Sequence, residues 1–282
     1  MENAIRAAGE LVVGDFRVRR LGFGAMRLIG PNAWGDAPDV AEAHDVLRRA
    51  VSLGVNFIDT ARSYGPETDE RLIADALAPY PDDLLVATKA GFARGPAGEW
   101  RPDGRPASLR ADCERSLQNL RLEALPLLQL HTVDPDVPIE ESLGALGELQ
   151  QEGKVRHIGV SNVSPEELAR ARAVVDVVSV QNRLSVVEQG EDAVLEACEA
   201  DGVAFLPWFP LGGGVVEHAG AVEAVARRRS VSTHQVAVAW LLRRSPMMLA
   251  IPGTSSVAHL EENVAAAALE LEPEDLALLA GG

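Results

Sequence analysis

The sequence predicts an α/β protein: a (β/α)8 TIM barrel with an N-terminal β-hairpin, forming one domain over residues 1–282. Three observations predict it. From residue 21 onward, short apolar runs alternate with helical patterns eight times, as strand–helix units do in a closed parallel barrel. The runs are continuously apolar, as in Phe57-Ile58 and Leu127-Leu128, which fits strands buried on both faces. Asp59, Lys89 and His131 each end such a run, where a barrel strand meets the shared active-site mouth.

The elements follow in order. Leu11-Val12-Val13 and Phe16-Arg17-Val18 flank Gly14-Asp15, a tight-turn pair that predicts the hairpin. Strands are expected over 21–24, 56–59, 84–88, 125–131, 156–160, 177–181, 204–208 and 248–251. Helices are expected over 40–53, 69–77, 109–120, 139–151, 165–173, 192–201, 233–244 and 257–268. Ser164-Pro165-Glu166-Glu167 supplies a cap, a first-turn proline and the acid of a capping box. The connections 29–38 and 91–106 are long and rich in Gly and Pro. Each leaves one of the proposed functional strands, so they are expected to wall a substrate pocket with Trp34 and Phe92, with Trp100 further along. A doubly wound nucleotide fold is the rival architecture. Its glycine fingerprint is missing, because Gly22-Phe23-Gly24-Ala25-Met26-Arg27 carries arginine at the third glycine position.

Composition narrows the function. A formal charge of −16 argues against nucleic acid, whose binding requires clustered cations to neutralise phosphates. No apolar stretch approaches the length of a membrane span, and Met1-Glu2-Asn3-Ala4-Ile5-Arg6 has no signal-peptide character. Cys113 and Cys198 fall on apolar helical faces and read as core thiols rather than a disulfide or metal pair. The expectation is a cytoplasmic enzyme without a metal, acting on a small molecule as a monomer or weak homo-oligomer.

The chain has two tyrosines, Tyr64 and Tyr80, and two lysines, Lys89 and Lys154, with arginine supplying the rest of its positive charge. Lysine ending a buried strand in such a chain points to chemistry, because an ammonium changes pKa readily when buried. Asp59, Tyr64, Lys89 and His131 together suit carbonyl reduction. A phenol has a pKa of about 10 and is a poor acid near neutrality. Lys89 beside it is expected to lower that pKa, with Asp59 holding the ammonium and His131 orienting the carbonyl oxygen. Singly, Asp59 also suits a helix cap and His131 a core histidine.

Several further segments, in order, resemble the aldo-keto reductase family. They are Gly22–Met26, Asn56–Ala61 with Ser63-Tyr64-Gly65, Thr88-Lys89, Leu130–Pro135, Gly153–Asn162, Gln181-Asn182, and Ile251–Thr254 through Glu262-Asn263. The segments Phe205–Gly213 and Ile251–Asn263 look closest to a bacterial branch that includes pyridoxal reductases. The resemblance implies NADPH as cofactor, with NADH possible, and an aldehyde or ketone substrate, pyridoxal being the best single candidate. It assigns the catalytic roles to Asp59, Tyr64, Lys89 and His131. It places the cofactor against Gly24, Ala25, Met26, Asp59, Ser161, Asn162, Gln181 and Trp208, the last stacking on the nicotinamide. The cofactor set also takes in Phe209, Pro210, Leu211, Gly212 and Gly213, and the run Gly212-Gly213-Gly214 would let backbone N–H groups approach the pyrophosphate. The set further includes Ile251, Gly253, Glu262 and Asn263, with Thr254, Ser255 and His259 expected at the adenosine phosphate.

In the better-known reductase branch a lysine and an arginine grip the 2′-phosphate, where this chain has Gly253 and, near the second position, His259. Two rival functions share the sequence. In one, Lys89 forms a Schiff base in an aldolase-type barrel. In the other, the chain is an NADPH-sensing binding subunit, for which an intact Tyr64 would serve no purpose.

Overall fold

A computed structural model describes residues 2–212 and 220–280. The chain opens with helix α1 (Glu2–Ala7) and a hairpin of β1 (Glu10–Val13) and β2 (Phe16–Arg19), with Leu11 opposite Val18. Then come β3 (Phe23–Gly24), two short 3-10 turns at Ala25–Leu28 and Pro31–Ala33, α2 (Val40–Ser52), β4 (Phe57–Asp59) and α3 (Thr68–Leu77). Next are β5 (Leu85–Ala90), an antiparallel pair β6 (Phe92–Arg94) and β7 (Trp100–Pro102), α4 (Pro106–Leu120), β8 (Leu125–Leu130) and α5 (Ile139–Gln151). After these lie β9 (Val155–Ser161), α6 (Pro165–Arg172), β10 (Val177–Gln181), α7 (Asp192–Asp201) and β11 (Ala204–Phe205). The described chain ends with α8 (Gly220–Arg229), α9 (Thr233–Arg244), α10 (Val257–Ala265), a 3-10 turn Ala266–Ala268 and α11 (Pro273–Ala280).

Seven parallel strands lie in the order β11-β10-β9-β8-β5-β4-β3. Residues 248–251 close the ring. Leu249 N–H donates to Phe205 O at 2.9 Å on one side, and Gly22 N–H donates to Ala250 O at 2.8 Å on the other. Thus the eighth expected strand is present as isolated bridges, and the expected barrel forms. The expected strands 21–24 and 204–208 are shorter than anticipated, Trp208 making only a single bridge to Arg183. Helices α1 and α8, and the β6–β7 hairpin inside the 91–106 connection, were not expected from periodicity. α4 starts at Pro106 rather than 109, because proline suits a first helical turn that needs no N–H.

Strand parity divides the core in two. Phe57, Leu85, Leu127, Leu206 and Leu249 point into the barrel, where Leu11, Val13 and Val18 of the hairpin join them and plug its floor. Ile58, Val86 and Leu128 point outward and pack under the helices. The same alternation turns Asp59, Lys89 and Gln129 inward above the plug, and Thr60 and Thr88 outward.

Arg20 ties the closing seam. Its guanidinium donates to the carbonyls of Met248 at 3.1 Å, Ala8 at 3.3 Å, Leu242 at 2.6 Å and Ser245, and burial pushes its pKa down. Arg20→Met, which keeps the apolar stem but leaves these carbonyls unanswered, is expected to cost at least about 2 kcal/mol. The midpoint of urea unfolding measures it, and an unchanged midpoint would show that the seam holds without the guanidinium.

Candidate active site

Lys89 is fully buried inside the mouth of the barrel. Its ammonium has three protons and three partners: Asp59 Oδ2 at 2.7 Å, Thr60 O at 2.9 Å and Tyr64 Oη at 3.5 Å. Burial favours the neutral amine, but Asp59 and Tyr64 together outweigh it, so the pKa of Lys89 is raised and it stays charged. Asp59 Oδ1 accepts from Gln129 at 3.3 Å and Gln181 at 2.9 Å, so the carboxylate is bonded on both oxygens. Asp59 is therefore no helix cap. Gln181, expected against the cofactor, donates its side-chain amide to this network.

The expectation for Tyr64 needs correction. Lys89 does pull the phenol down, but burial raises it more, and the net shift is upward. Tyr64 therefore holds its proton throughout the neutral range. His131 is shifted well below its ordinary value by burial, with Lys89 and Arg94 adding to the effect. It is a neutral imidazole, with Nδ1 3.4 Å from Ser63 Oγ.

One wall of the site is aromatic. Tyr64, Phe92, Trp100 and His131 meet edge to face, with centroids from 4.8 to 6.2 Å apart. Trp100 belongs to this wall because β6 and β7 fold the long connection back on itself, which sequence distance concealed. Trp34 sits one layer out. Arg94 lies between it and Trp100, with its guanidinium 5.1 Å and 3.7 Å from their rings. Arg94 also donates to the carbonyls of Asn32, Ala33, Ser63 and Gly98, locking both long connections together. Sequence reading missed this residue.

On the opposite side, Asn162 donates to His131 O at 3.0 Å and Ser161 Oγ at 3.1 Å, and accepts from Trp208 Nε1 at 2.9 Å. Ser161 Oγ donates to Gln181 O at 2.7 Å. Trp208 is a partly exposed rim residue and not a core tryptophan, with Arg183 over its ring at 5.2 Å and over that of Phe209 at 4.7 Å. Pro210 and Gly212 are buried and Leu211 is partly so, while Gly213 and Gly214 lie outside the described residues.

Gly24 and Gly253 mark a tight crossing of two chain segments. A Cβ on Gly24 would meet Ile251 O at 2.7 Å, and one on Gly253 would meet Gly24 O at 2.6 Å. No side chain fits at 253 without backbone movement. The stem of Arg27 passes beside it, 3.3 Å from that Cβ position. Arg27 is exposed and has no carboxylate partner among the described residues. It lines a cavity of about 350 Å³ with Met26, Ile29, Asp39, Glu42 and Ser255. Ala25 is buried and Met26 exposed. Thr254 Oγ1 accepts from Ser256 N–H at 3.1 Å. α10 has no side-chain cap and no acid in its first turn. His259 and Glu262 are exposed on this helix and Asn263 is buried. Cys113 and Cys198 are free and buried, their thiols pushed up to about 12 by burial. Among the described residues no group of acids, histidines and cysteines could hold a metal, and no helix is long and apolar enough to cross a membrane.

The model of the aldo/keto reductase family matches residues 20–281. The chain belongs to that family. It is 43% identical to pyridoxine 4-dehydrogenase of Escherichia coli, over 98% of each chain. It is 44% identical to an uncharacterized oxidoreductase of Schizosaccharomyces pombe, over 96% of this chain and 89% of that one. A glycerol dehydrogenase from Gluconobacter oxydans superposes with a TM-score of 0.88 at 28% identity, covering 98% of this chain and 95% of its own. The chain is an oxidoreductase that reduces carbonyl groups.

Behind the sheet, Asp69 is sealed from solvent, and burial raises its carboxyl to about 7, opposed first by its bond from Thr60. A carboxyl whose folded pKa exceeds its unfolded value favours folding at low pH and loses that advantage as pH rises. The stability of Asp69→Asn relative to the wild type is therefore expected to increase from about pH 4 to about pH 7 and then level off. Unfolding free energies across that window measure it, and a constant difference would show that Asp69 titrates normally.

Proposed function

We propose that Tyr64 protonates the carbonyl oxygen of an aldehyde or ketone in an NADPH-dependent reduction, with Lys89 and Asp59 tuning the phenol and His131 orienting the substrate. One observation carries this reading: a buried, fully bonded ammonium directs its third proton at the only phenol in the mouth. The cofactor supplies a hydride when bound. Tyr64 stays loaded with its proton until it is needed. As the proton leaves, the developing phenolate faces the Lys89 charge, an interaction stronger in the transition state than in the resting site. Neutral His131 offers a hydrogen bond to the same oxygen without placing a second cation there. Asp59 keeps Lys89 charged, which disfavours the Schiff-base alternative, since a nucleophilic amine must first be neutral.

The donor set fits a dinucleotide phosphate. α10 presents first-turn N–H groups without a side-chain cap or an acid, beside Thr254, Ser255 and His259. Arg27 brings a permanent cation to the place where Gly253 leaves no room for a side chain. For substrate, the relative's name and the aromatic wall of Phe92 and Trp100 support a planar aromatic aldehyde, pyridoxal above others. The chain acts as one barrel domain in the cytoplasm, as a monomer or weak homo-oligomer, in keeping with its two free thiols.

Tyr64→Phe is expected to lower kcat for aldehyde reduction at least about 100-fold while NADPH affinity stays within about twofold. Steady-state rates and tryptophan-fluorescence titration measure the two, and retained turnover would move the acid role to His131. Arg27→Ala is expected to weaken NADPH binding by about fivefold and leave NADH unchanged, the scale of one exposed ion pair. Equal effects on the two cofactors in the same titration would show that the 2′-phosphate lies elsewhere.

A further inference from the structure

Asp69 and Glu70 lie behind β4 and β5 at the start of α3, fully buried, and neither takes part in the chemistry above. Glu70 is answered on both oxygens, by Thr88 Oγ1 at 2.6 Å and Asn119 Nδ2 at 2.9 Å. Asp69 is answered on one. Its Oδ2 accepts from Thr60 Oγ1 at 2.6 Å, while Oδ1 is buried without a partner. An unanswered buried oxygen costs stability, and a matched apolar pair at these two positions would be nearly neutral by comparison. The placement is therefore expensive for the fold alone.

Its neighbours give it a use. Thr60 follows Asp59 directly, and its carbonyl accepts from Lys89 Nζ at 2.9 Å. The backbone N–H of Asp69 donates to the carbonyl of Tyr64 at 3.3 Å. One residue thus grips both partners of the phenol–ammonium pair: Tyr64 through its backbone, and Lys89 through Thr60. We propose that Asp69 is a positioning residue for the Tyr64–Lys89 pair, its carboxyl fixing Thr60 so that the Thr60 carbonyl aims the ammonium at the Tyr64 hydroxyl.

The geometry makes that aim sensitive. An ammonium rotates freely about its terminal bond, so its acceptors decide where its protons point. The contact with Tyr64 is 3.5 Å, already at the limit of a useful hydrogen bond, so a small displacement ends it. Once the Thr60 anchor is loosened, Lys89 swings towards Asp59, its stronger partner. Tyr64 then loses the charge that stabilises its phenolate. The loss falls on the proton-transfer step, and the substrate and cofactor contacts are untouched.

This inference rests on the carbonyl-reduction reading, and its test separates the two. Rates with NADPH and either 4-nitrobenzaldehyde or pyridoxal are measured for the wild type, Thr60→Val, Thr60→Ser, Asp69→Ala, Asp69→Asn and the Thr60→Val/Asp69→Ala double variant. Thr60→Val and Asp69→Ala are each expected to lower kcat by about 10- to 100-fold, with KM and NADPH affinity within about twofold. Thr60→Ser, which keeps the hydroxyl, and Asp69→Asn, which keeps an acceptor for it, recover most of the rate. The double variant is no slower than the worse single one, because both remove the same link. NADPH titration reports folding; if Thr60→Val fails to bind, the comparison of Asp69→Ala with Asp69→Asn decides. Wild-type kcat in Thr60→Val, equal losses in Thr60→Val and Thr60→Ser, equal losses in both Asp69 variants, or additive losses in the double variant would overturn the proposal. An active wild type with those results leaves the carbonyl-reduction reading standing, whereas an inactive wild type overturns both.

Discussion

A single buried ammonium sets the terms for this structure. Moving a charge of that size out of water costs several kcal/mol even after relaxation, and Lys89 has no solvent contact to offset it. The cost is tolerable only because Asp59 is aligned at 2.7 Å and the two remaining protons are taken by Thr60 and Tyr64. Those partners must be rigid, so they come from adjoining strands and the turn that follows them. Asp59 must itself be held, which accounts for Gln129 and Gln181 on its other oxygen. Three inward polar side chains, Asp59, Gln129 and Gln181, thus serve to keep one positive charge bonded in place.

The same demand shapes the surroundings. A buried imidazole beside that charge is driven neutral, and a buried phenol beside it keeps its proton despite the attraction. The site therefore rests with the proton on the Tyr64 phenol and the Lys89 charge beside it. Such preorganisation requires no rearrangement of dipoles during reaction, the usual source of electrostatic catalysis. Further out, two guanidinium groups perform a second task. Arg20 ties the seam of the barrel and Arg94 ties the two long connections, each by donating to backbone carbonyls rather than to acids. In a chain with a surplus of acids, arginines spent on carbonyls mark the places where loop geometry matters most.

Strand order, helix order, the hairpin and the four residues Asp59, Tyr64, Lys89 and His131 were legible in the sequence for one reason. Each depends on local periodicity or on a polar residue interrupting an apolar run, and strand parity carries that information directly into space. Family resemblance supplied the residues proposed for the cofactor, motif by motif. Elements without such a signal were missed: α1 has only six residues, α8 was not picked out by its periodicity, and β6 with β7 hides in a segment whose glycines and prolines read as loop.

Tertiary structure alone decided the rest. It turned Thr60 outward to meet Asp69, brought Trp100 back onto Tyr64, set Arg94 across two connections, and laid the stem of Arg27 beside Gly253. It also reversed the expected shift of Tyr64, because burial depth cannot be read from neighbouring residues in the chain. All of these depend on the distance and desolvation of groups far apart in sequence, quantities that exist only once the barrel has closed.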